Sequence, residues 1–235
     1  MSELEKIKRY YDTVYYGGSS RHVVVTRHLR NLVKRLGVAK AQQVLDIACG
    51  KGEWLIAASE NGALPSGIDL SSVAIDVCKA NLPQGDFHVG CAEQLPFPDA
   101  TFDLITCLGS LEHFVEPEQA LREMVRVAKL GARFLILVPN EGFFLRRLGM
   151  YSGTRQTVAR EVVRPISEWI ELFHRAGLSV DAQWRDLHVL SRQWIISGPI
   201  ASWPIRALVA LSLSFLPVAC QYQVYYLCRV KDHDL

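Results

Sequence analysis

None of the six cysteines (Cys49, Cys78, Cys91, Cys107, Cys220, Cys228) pairs as Cys-x-x-Cys, and no histidine stands at metal-ligand spacing. Neither a zinc site nor a disulfide framework is indicated, and the cysteines read as reduced thiols of a cytoplasmic protein. Charge of one sign is not in excess either. The 26 Lys and Arg face 24 Asp and Glu, a net charge of +2, which removes the electrostatic ground for a nucleic-acid partner. Met1 to Tyr10 alternates charged and apolar residues and has no apolar core of signal-peptide length, so export is not predicted. A membrane-spanning run is missing too. It needs about 20 apolar residues, and in the most apolar segment, Ile195 to Cys220, Pro199, Pro204, Arg206 and Pro217 leave only Ala207 to Leu216 free of both proline and charge.

What is present is an ordinary globular composition of 235 residues, 49% hydrophobic and 21% charged. From about residue 40 the chain alternates short apolar runs, turns and helical stripes, the pattern of an α/β protein with a parallel sheet. Strands are predicted at 44–47, 67–70, 86–89, 102–107, 133–138, 178–184 and 222–229. Helices are predicted at 54–59, at 73–82 behind a Ser71 or Ser72 cap, and at 117–129, which Gly131 should end. A further helix runs from Pro165 to Gly177. The expectation is one domain, 1–235: a helical cap over 1–37, a cofactor-binding half over 38–140, and an acceptor-side half over 141–235 with an apolar insertion at 195–220.

At the end of the first strand, Asp46-Ile47-Ala48-Cys49-Gly50-Lys51-Gly52 puts two glycines where backbone can approach a ligand closely. Asp69 follows 23 residues after Asp46 at the tip of the second strand, near the offset at which a carboxylate reaches ribose hydroxyls. The dinucleotide fingerprint wants a third glycine where Leu55 stands and no acid at Asp46. A carboxylate there disfavours a pyrophosphate and suits a ligand with positive charge near that point, such as the amino group and sulfonium of S-adenosylmethionine. The bland alternatives are a tight strand-to-helix turn for the glycines and a helix cap for Asp69.

These residues, with Gly67-Ile68-Asp69-Leu70-Ser71, Cys91-Ala92-Glu93-Gln94-Leu95-Pro96-Phe97, Phe102-Asp103-Leu104-Ile105, Leu111-Glu112-His113 and Arg126-Val127-Ala128-Lys129, resemble in order and spacing the class I S-adenosylmethionine-dependent methyltransferases of the small-molecule branch. The resemblance covers about residues 10–129 closely. It implies a Rossmann-like, doubly wound seven-stranded sheet, mostly parallel with an antiparallel final strand, and S-adenosylmethionine as cofactor. It also implies a cofactor-binding set of Tyr11, Asp46, Ala48, Gly50, Gly52, Asp69, Leu70, Cys91, Ala92, Glu93 and Leu108. In it Asp69 holds the ribose hydroxyls, Asp46 organises the methionine amino group beside Gly50 and Gly52, Leu70 packs on adenine, and the Ala92 backbone meets adenine N1. Ala48 replaces a glycine and is tolerated as a small residue. Cys91 replaces an aspartate, and because a thiol accepts weakly, either binding is weaker or Cys91 only packs.

Methyl transfer needs alignment and, for a hydroxyl acceptor, a base. His113 is the candidate catalytic residue, with a structural Glu112–His113 pair as the alternative. Tyr11, Tyr15, Tyr16 and His22 are candidates for a lid or for plain packing. Cys107-Leu108-Gly109-Ser110 lacks the Asn/Asp-Pro-Pro-aromatic loop of amino-group methylation, and Gly109 breaks a Glu-x-x-Glu-His metal arrangement, so no metal requirement is expected. The connection 140–164, with Glu141, Arg146, Arg147, Tyr151, Arg155, Gln156 and Arg160, should overlie the acceptor site. The apolar insertion reads as a helix that is buried, paired with a second copy, or lying on lipid. The expected reaction is O-methylation of a small or lipid-linked metabolite. The alternatives are C-methylation of a quinone-like ring, a nicotinamide-dependent oxidoreductase, or a non-catalytic S-adenosylmethionine-binding protein. Peripheral membrane contact or a homodimer through 195–220 is the expected association.

Overall fold

A computed structural model of the chain describes residues 3–18, 22–147, 149, 161–190, 195–196 and 199–231. Seven strands form one sheet in the order β3-β2-β1-β4-β5-β7-β6. In chain order they are β1 (Gln43–Ile47), β2 (Leu64–Asp69), β3 (Asp86–Val89), β4 (Phe102–Leu108), β5 (Ala128–Pro139), β6 (Leu178–Arg185) and β7 (Gln223–Val230). The first five pair parallel, and β7 runs antiparallel between β5 and β6. The doubly wound sheet with an antiparallel final strand is therefore borne out.

The helices are α1 (Glu3–Tyr10), α2 (Arg27–Leu36), α3 (Glu53–Ser59), α4 (Ser72–Asn81), α5 (Pro117–Val127), α6 (Phe144–Arg147), α7 (Ile166–Arg175) and α8 (Trp203–Phe215). Helices cover both faces, which is why the central strands read as nearly continuous apolar runs. One core packs α5 and α7, through Leu121, Met124, Trp169 and Phe173, against Ile105, Phe134 and Tyr226. The other packs α2, α3 and α4, through Val33, Leu55 and Ile75, against Val44, Leu104 and Leu135. Each set alternates along its strand, since successive side chains point to opposite faces.

Local signals placed most element ends within a residue or three. Ser71 is the residue that caps α4, its hydroxyl accepting from Ala74 N at 3.2 Å. The junction of α5 and β5 is different from the sequence expectation. The helix stops at Val127 with Ala128 already extended, and Gly131, at φ 79°, lies inside β5 instead of ending α5. Ala128 pairs with Phe102, and the register then shifts so that Arg133 pairs with Leu104. Pairing to β4 outweighs the last helical turn, and a glycine in the left-handed region absorbs the slip.

The sheet's C-terminal edge is stitched by side chain-to-backbone bonds. Asn140, after β5, donates its amide to Ala219 O at 2.8 Å and Gln221 O at 3.1 Å. Gln221 in turn donates to Leu213 O and Leu216 O at 2.7 and 2.8 Å, and the Arg185 guanidinium donates to Ser214 O and Leu216 O. These bonds take up carbonyls that the end of α8 leaves without helical partners. The helix buries Ala210 and Leu213 against Phe143 and Tyr222, but Ile205, Leu208, Leu211 and Phe215 are 55–80% exposed. Burial of the insertion in the chain's own core thus holds for one face of α8 only. Among the described residues no helix is long and apolar enough to cross a membrane.

Candidate functional site

A cavity of about 810 Å³, its mouth included, opens over the C-terminal ends of β1 to β4. Parallel sheets expose their strand-to-helix turns at that edge, so this is where ligand-facing groups collect. Of the predicted set, Tyr11, Ala48, Asp69, Leu70, Cys91, Ala92, Glu93 and His113 line it. Asp46, Gly50, Gly52 and Leu108 do not. Leu108 instead packs on the core beneath α2 and α3.

Asp69 is held by backbone. Gly50 N donates to its Oδ2 at 2.9 Å and Ser71 N to its Oδ1 at 2.8 Å. A carboxylate has about four acceptor sites, so each oxygen keeps capacity for a further donor. Burial raises the pKa of Asp69, and the two amide bonds oppose that rise. Asp46 is fully enclosed beneath the turn and accepts from the Thr106 hydroxyl. Burial is the main cause that lifts its pKa to about 8, with the charges of Glu53 and Asp69 adding to it.

The glycine-rich turn owes its glycines to conformation. Gly50 and Gly52 have φ of 55° and 81°, and a Cβ on them would meet the Tyr16 hydroxyl at 2.9 Å and Cys78 Sγ at 3.0 Å. The close approach there is therefore by Tyr16 and by α4. Ala48 adopts φ 54°, a left-handed conformation costly for an L side chain, so its small size is not the whole reason for its place.

Over this turn lies the N-terminal segment. Tyr11–Tyr15 forms a π-helical turn after α1. Tyr11, Tyr15 and Tyr16 line the cavity with rings edge to face, Tyr15 and Tyr16 at 4.8 Å between centroids. His22 does not line it. Burial raises the pKa of Tyr11 and Tyr16, so both stay neutral donors. Asp12 ties the segment down: its carboxylate accepts from Ser71 Oγ at 2.6 Å, Ser72 Oγ at 3.3 Å and Val73 N at 3.4 Å, at the start of α4. Lys8 Nζ donates to Leu70 O at 3.1 Å. The sequence pointed to the tyrosines but not to Asp12 or Lys8, whose partners lie some 60 residues away.

His113 ends a short turn, Leu111–His113, and faces the cavity, whereas Glu112 is buried. Glu112 Oε2 has no hydrogen-bond partner among the described residues, and burial pushes its carboxyl up to about 8. The two side chains thus part company. The wall is completed by residues the sequence had not singled out as ligand-facing, among them Gly90, Gly109, Ser110 and Phe114. Their signal was position alone, directly after strands. Glu141, Arg146 and Arg147 stand after β5, while Tyr151, Arg155, Gln156 and Arg160 lie outside the described residues.

A family model for a methyltransferase domain matches residues 45–136. The chain is 30% identical over 182 residues to the uncharacterized methyltransferase YcgJ of Bacillus subtilis, covering 71% of this chain and 69% of that one. The chain belongs to the class I S-adenosylmethionine-dependent methyltransferases. The demethylmenaquinone methyltransferase of Anoxybacillus flavithermus is 35% identical over 146 residues, 58% of this chain and 60% of that protein. A ubiquinone biosynthesis O-methyltransferase of Coxiella burnetii is 32% identical over 108 residues, 44% of this chain and 46% of that protein. This methyltransferase therefore spans about half the length of those two relatives. The solved structure of the Bacillus subtilis YcgJ protein superposes with a TM-score of 0.61 at 22% identity, over 88% of this chain and all of that one. A methyltransferase in complex with the Haloferax volcanii Trm112 activator does so with a TM-score of 0.70 at 19% identity over the full length of both. Both likenesses concern the fold.

The methyltransferase's cavity fits S-adenosylmethionine by the chemistry of its donor set. A buried carboxylate with spare acceptor capacity, Asp69, suits a ribose diol, and apolar Ile68 and Leu70 stand beside it for a flat base. Asp69, the acid of the pair that lines the cavity, suits hydroxyl donors and disfavours a phosphate, whereas Asp46 stays enclosed beneath the turn.

Proposed function

We propose that this methyltransferase transfers a methyl group to a hydroxyl oxygen of a small or lipid-linked acceptor and takes that acceptor at a membrane surface. S-adenosylmethionine supplies an electrophilic methyl group. The protein's part is to align the acceptor oxygen, keep water out and give its proton somewhere to go. In this reading Asp69 holds the ribose, Leu70, Cys91 and Ala92 surround the base, and the tyrosines close the cavity from above. His113 meets the acceptor from the wall after β4.

The observation that carries the lipid side of the reading is the exposed apolar face of α8. Ile205, Leu208, Leu211 and Phe215 are exposed, and the helix sits on Phe143 and Tyr222, beside the C-terminal end of β5 and outside the cavity's lining. The sequence from Leu187 to Val230 contains no acidic residue and carries Arg192, Arg206 and Arg229. An apolar face in a segment free of acid suits an anionic lipid surface. The names of the relatives that act in menaquinone and ubiquinone pathways point to acceptors of the same greasy kind. Carbon of a quinone-like ring is the second reading, favoured by the likeness to the demethylmenaquinone methyltransferases.

The test is release of S-adenosylhomocysteine with hydroxylated aromatic acceptors, with and without a prenyl tail, in the presence of vesicles containing phosphatidylglycerol. Faster transfer to the tailed acceptor, an O-methyl product by NMR, and vesicle flotation lost in the Leu208→Glu/Leu211→Glu double variant are expected. Equal rates with no flotation of the parent protein defeat the membrane reading. A C-methyl product decides for carbon, and a dimer that the double variant dissociates assigns the face to a second copy.

A further inference from the structure

We propose that Asp186 and His188, outside the cofactor-binding motifs, form a general-base dyad that takes the proton from the acceptor hydroxyl; the proposal rests on the reading of a hydroxyl acceptor. Asp186 follows β6 and is 6% exposed. Its carboxylate accepts from His188 N at 3.0 Å through Oδ1 and from the His188 ring at Nδ1 through Oδ2. Its own backbone N donates to Gln223 O at 3.2 Å. An acid fixed in this way keeps the ring proton on Nδ1, so Nε2 carries the free lone pair. With its side chain 39% exposed, His188 can be reached by a ligand.

The surroundings separate two histidines by role. His28 of α2 lies on the other side of the same carboxylate, with Nε2 at 3.4 Å from Asp186 Oδ1 and 3.0 Å from the Tyr225 hydroxyl. Burial lowers the pKa of His28, which stays neutral. Burial also pulls on His188, yet the hydrogen bond and charge of Asp186 outweigh it and raise that ring's affinity for a proton. Two titratable neighbours pushed apart is the pattern by which acid and base roles are divided. Tyr225 is in turn backed by Trp184, stacked at 5.6 Å, with the Arg35 guanidinium 4.0 Å above the Trp184 ring. The cluster stands outside the cavity's lining, and Gln223 links the two. Its side-chain amide is 3.5 Å from where a Cβ on Gly109 would lie, and Gly109 lines the cavity.

In the proposed step the acceptor oxygen bonds to the methyl carbon as the carbon–sulfur bond breaks, its electron pair staying on sulfur. The hydroxyl proton passes to His188 Nε2, and the imidazolium so formed is balanced by Asp186 until it loses the proton to water. His113 then acts as a contact that positions the acceptor, not as its base.

The experiment compares the full-length protein with His188→Gln, Asp186→Asn and His113→Gln on two phenols, one of ordinary acidity and one nitro-substituted and already ionised. A general base contributes about 10²–10⁴-fold. His188→Gln should therefore lose roughly 100-fold or more in kcat on the ordinary phenol while KM holds and the ionised phenol is largely spared. Asp186→Asn should follow with a smaller loss, and His113→Gln should affect both phenols alike. Without any acceptor, ¹⁵N NMR should find His188 as the Nδ1–H tautomer, lost in Asp186→Asn. Oxygen transfer unchanged in His188→Gln, equal losses on both phenols, or the Nε2–H tautomer overturns the dyad alone. Transfer by the parent protein only to carbon overturns the hydroxyl reading, and the base with it.

Discussion

The two halves of the sheet hold their chemistry by different means. Around β1, β2 and β4 the pairings run parallel in unbroken register, and the decisive acid, Asp69, is fixed by two backbone amides. Around β5, β7 and β6 the register slips twice, and the decisive acid, Asp186, is fixed by its own turn and by two imidazoles. Backbone donors persist whatever side chains surround them, so the first half needs few specified residues. A network of side chains depends on each member. In the proposed reading the constant partner of a methyltransferase family, its donor, meets the half built from main chain, and the half built from side chains takes the acceptor.

The largest expected effect tests that division directly. Asp69→Ala removes the carboxylate proposed to hold the ribose and leaves two amides without their partner, at about 1–3 kcal/mol for each buried unsatisfied group. S-adenosylhomocysteine binding should fall by roughly 100-fold or more in calorimetry and the melting temperature should drop. Asp186→Ala, by contrast, should leave that binding within about twofold. A large loss of binding in Asp186→Ala would erase the distinction between the halves.

Next in size is Glu112→Gln, at the junction between them. The carboxyl's pKa is raised to about 8 in the folded protein by burial, above its usual value in the unfolded chain. The folded state therefore holds the proton more tightly, so stability is fully present below about pH 4 and declines as pH climbs toward and through 8. Glutamine carries no such charge. Its melting temperature should match the parent at pH 4 and exceed it at pH 9, by up to about 5 kcal/mol in stability. Parallel pH profiles for the two proteins would show that Glu112 is not held in that state.

The smallest effect belongs to the glycine-rich turn. Ala48→Gly relieves a left-handed alanine and gives back some unfolded-state entropy, so a net gain of about 0.5–1 kcal/mol is expected in a denaturant titration. A loss of stability instead would mean that the methyl group of Ala48 packs against something worth more than its backbone strain.

What could be read in the sequence follows the same line. Strand-turn-helix alternation, the Ser71 cap and the acids at the strand tips are local patterns, and each stands where it was expected. The end of α5 was misplaced because pairing to β4, a contact between distant residues, overrode helical periodicity. Glu112 is buried while His113 faces the cavity for a similar reason: adjacency in the chain does not decide which neighbour turns into the core. Gly50 facing Tyr16 was hidden from any motif, and so was the grouping of His28 with Asp186 and His188, which lie some 160 residues away.

By itself the sequence determined the alternating architecture, the family and the placing of glycines and acids at the first strand tips, because those rest on short-range spacing at the ends of consecutive strands. Only the tertiary structure decided that β7 enters between β5 and β6. That insertion carries Gln223 and Tyr225 to the edge beside Gly109, where Asp186 and the two histidines meet them. It also left one face of α8 without cover. A side-chain network drawn from α2, β6 and β7 exists only once the sheet has closed, since no local rule of propensity or periodicity brings those segments together.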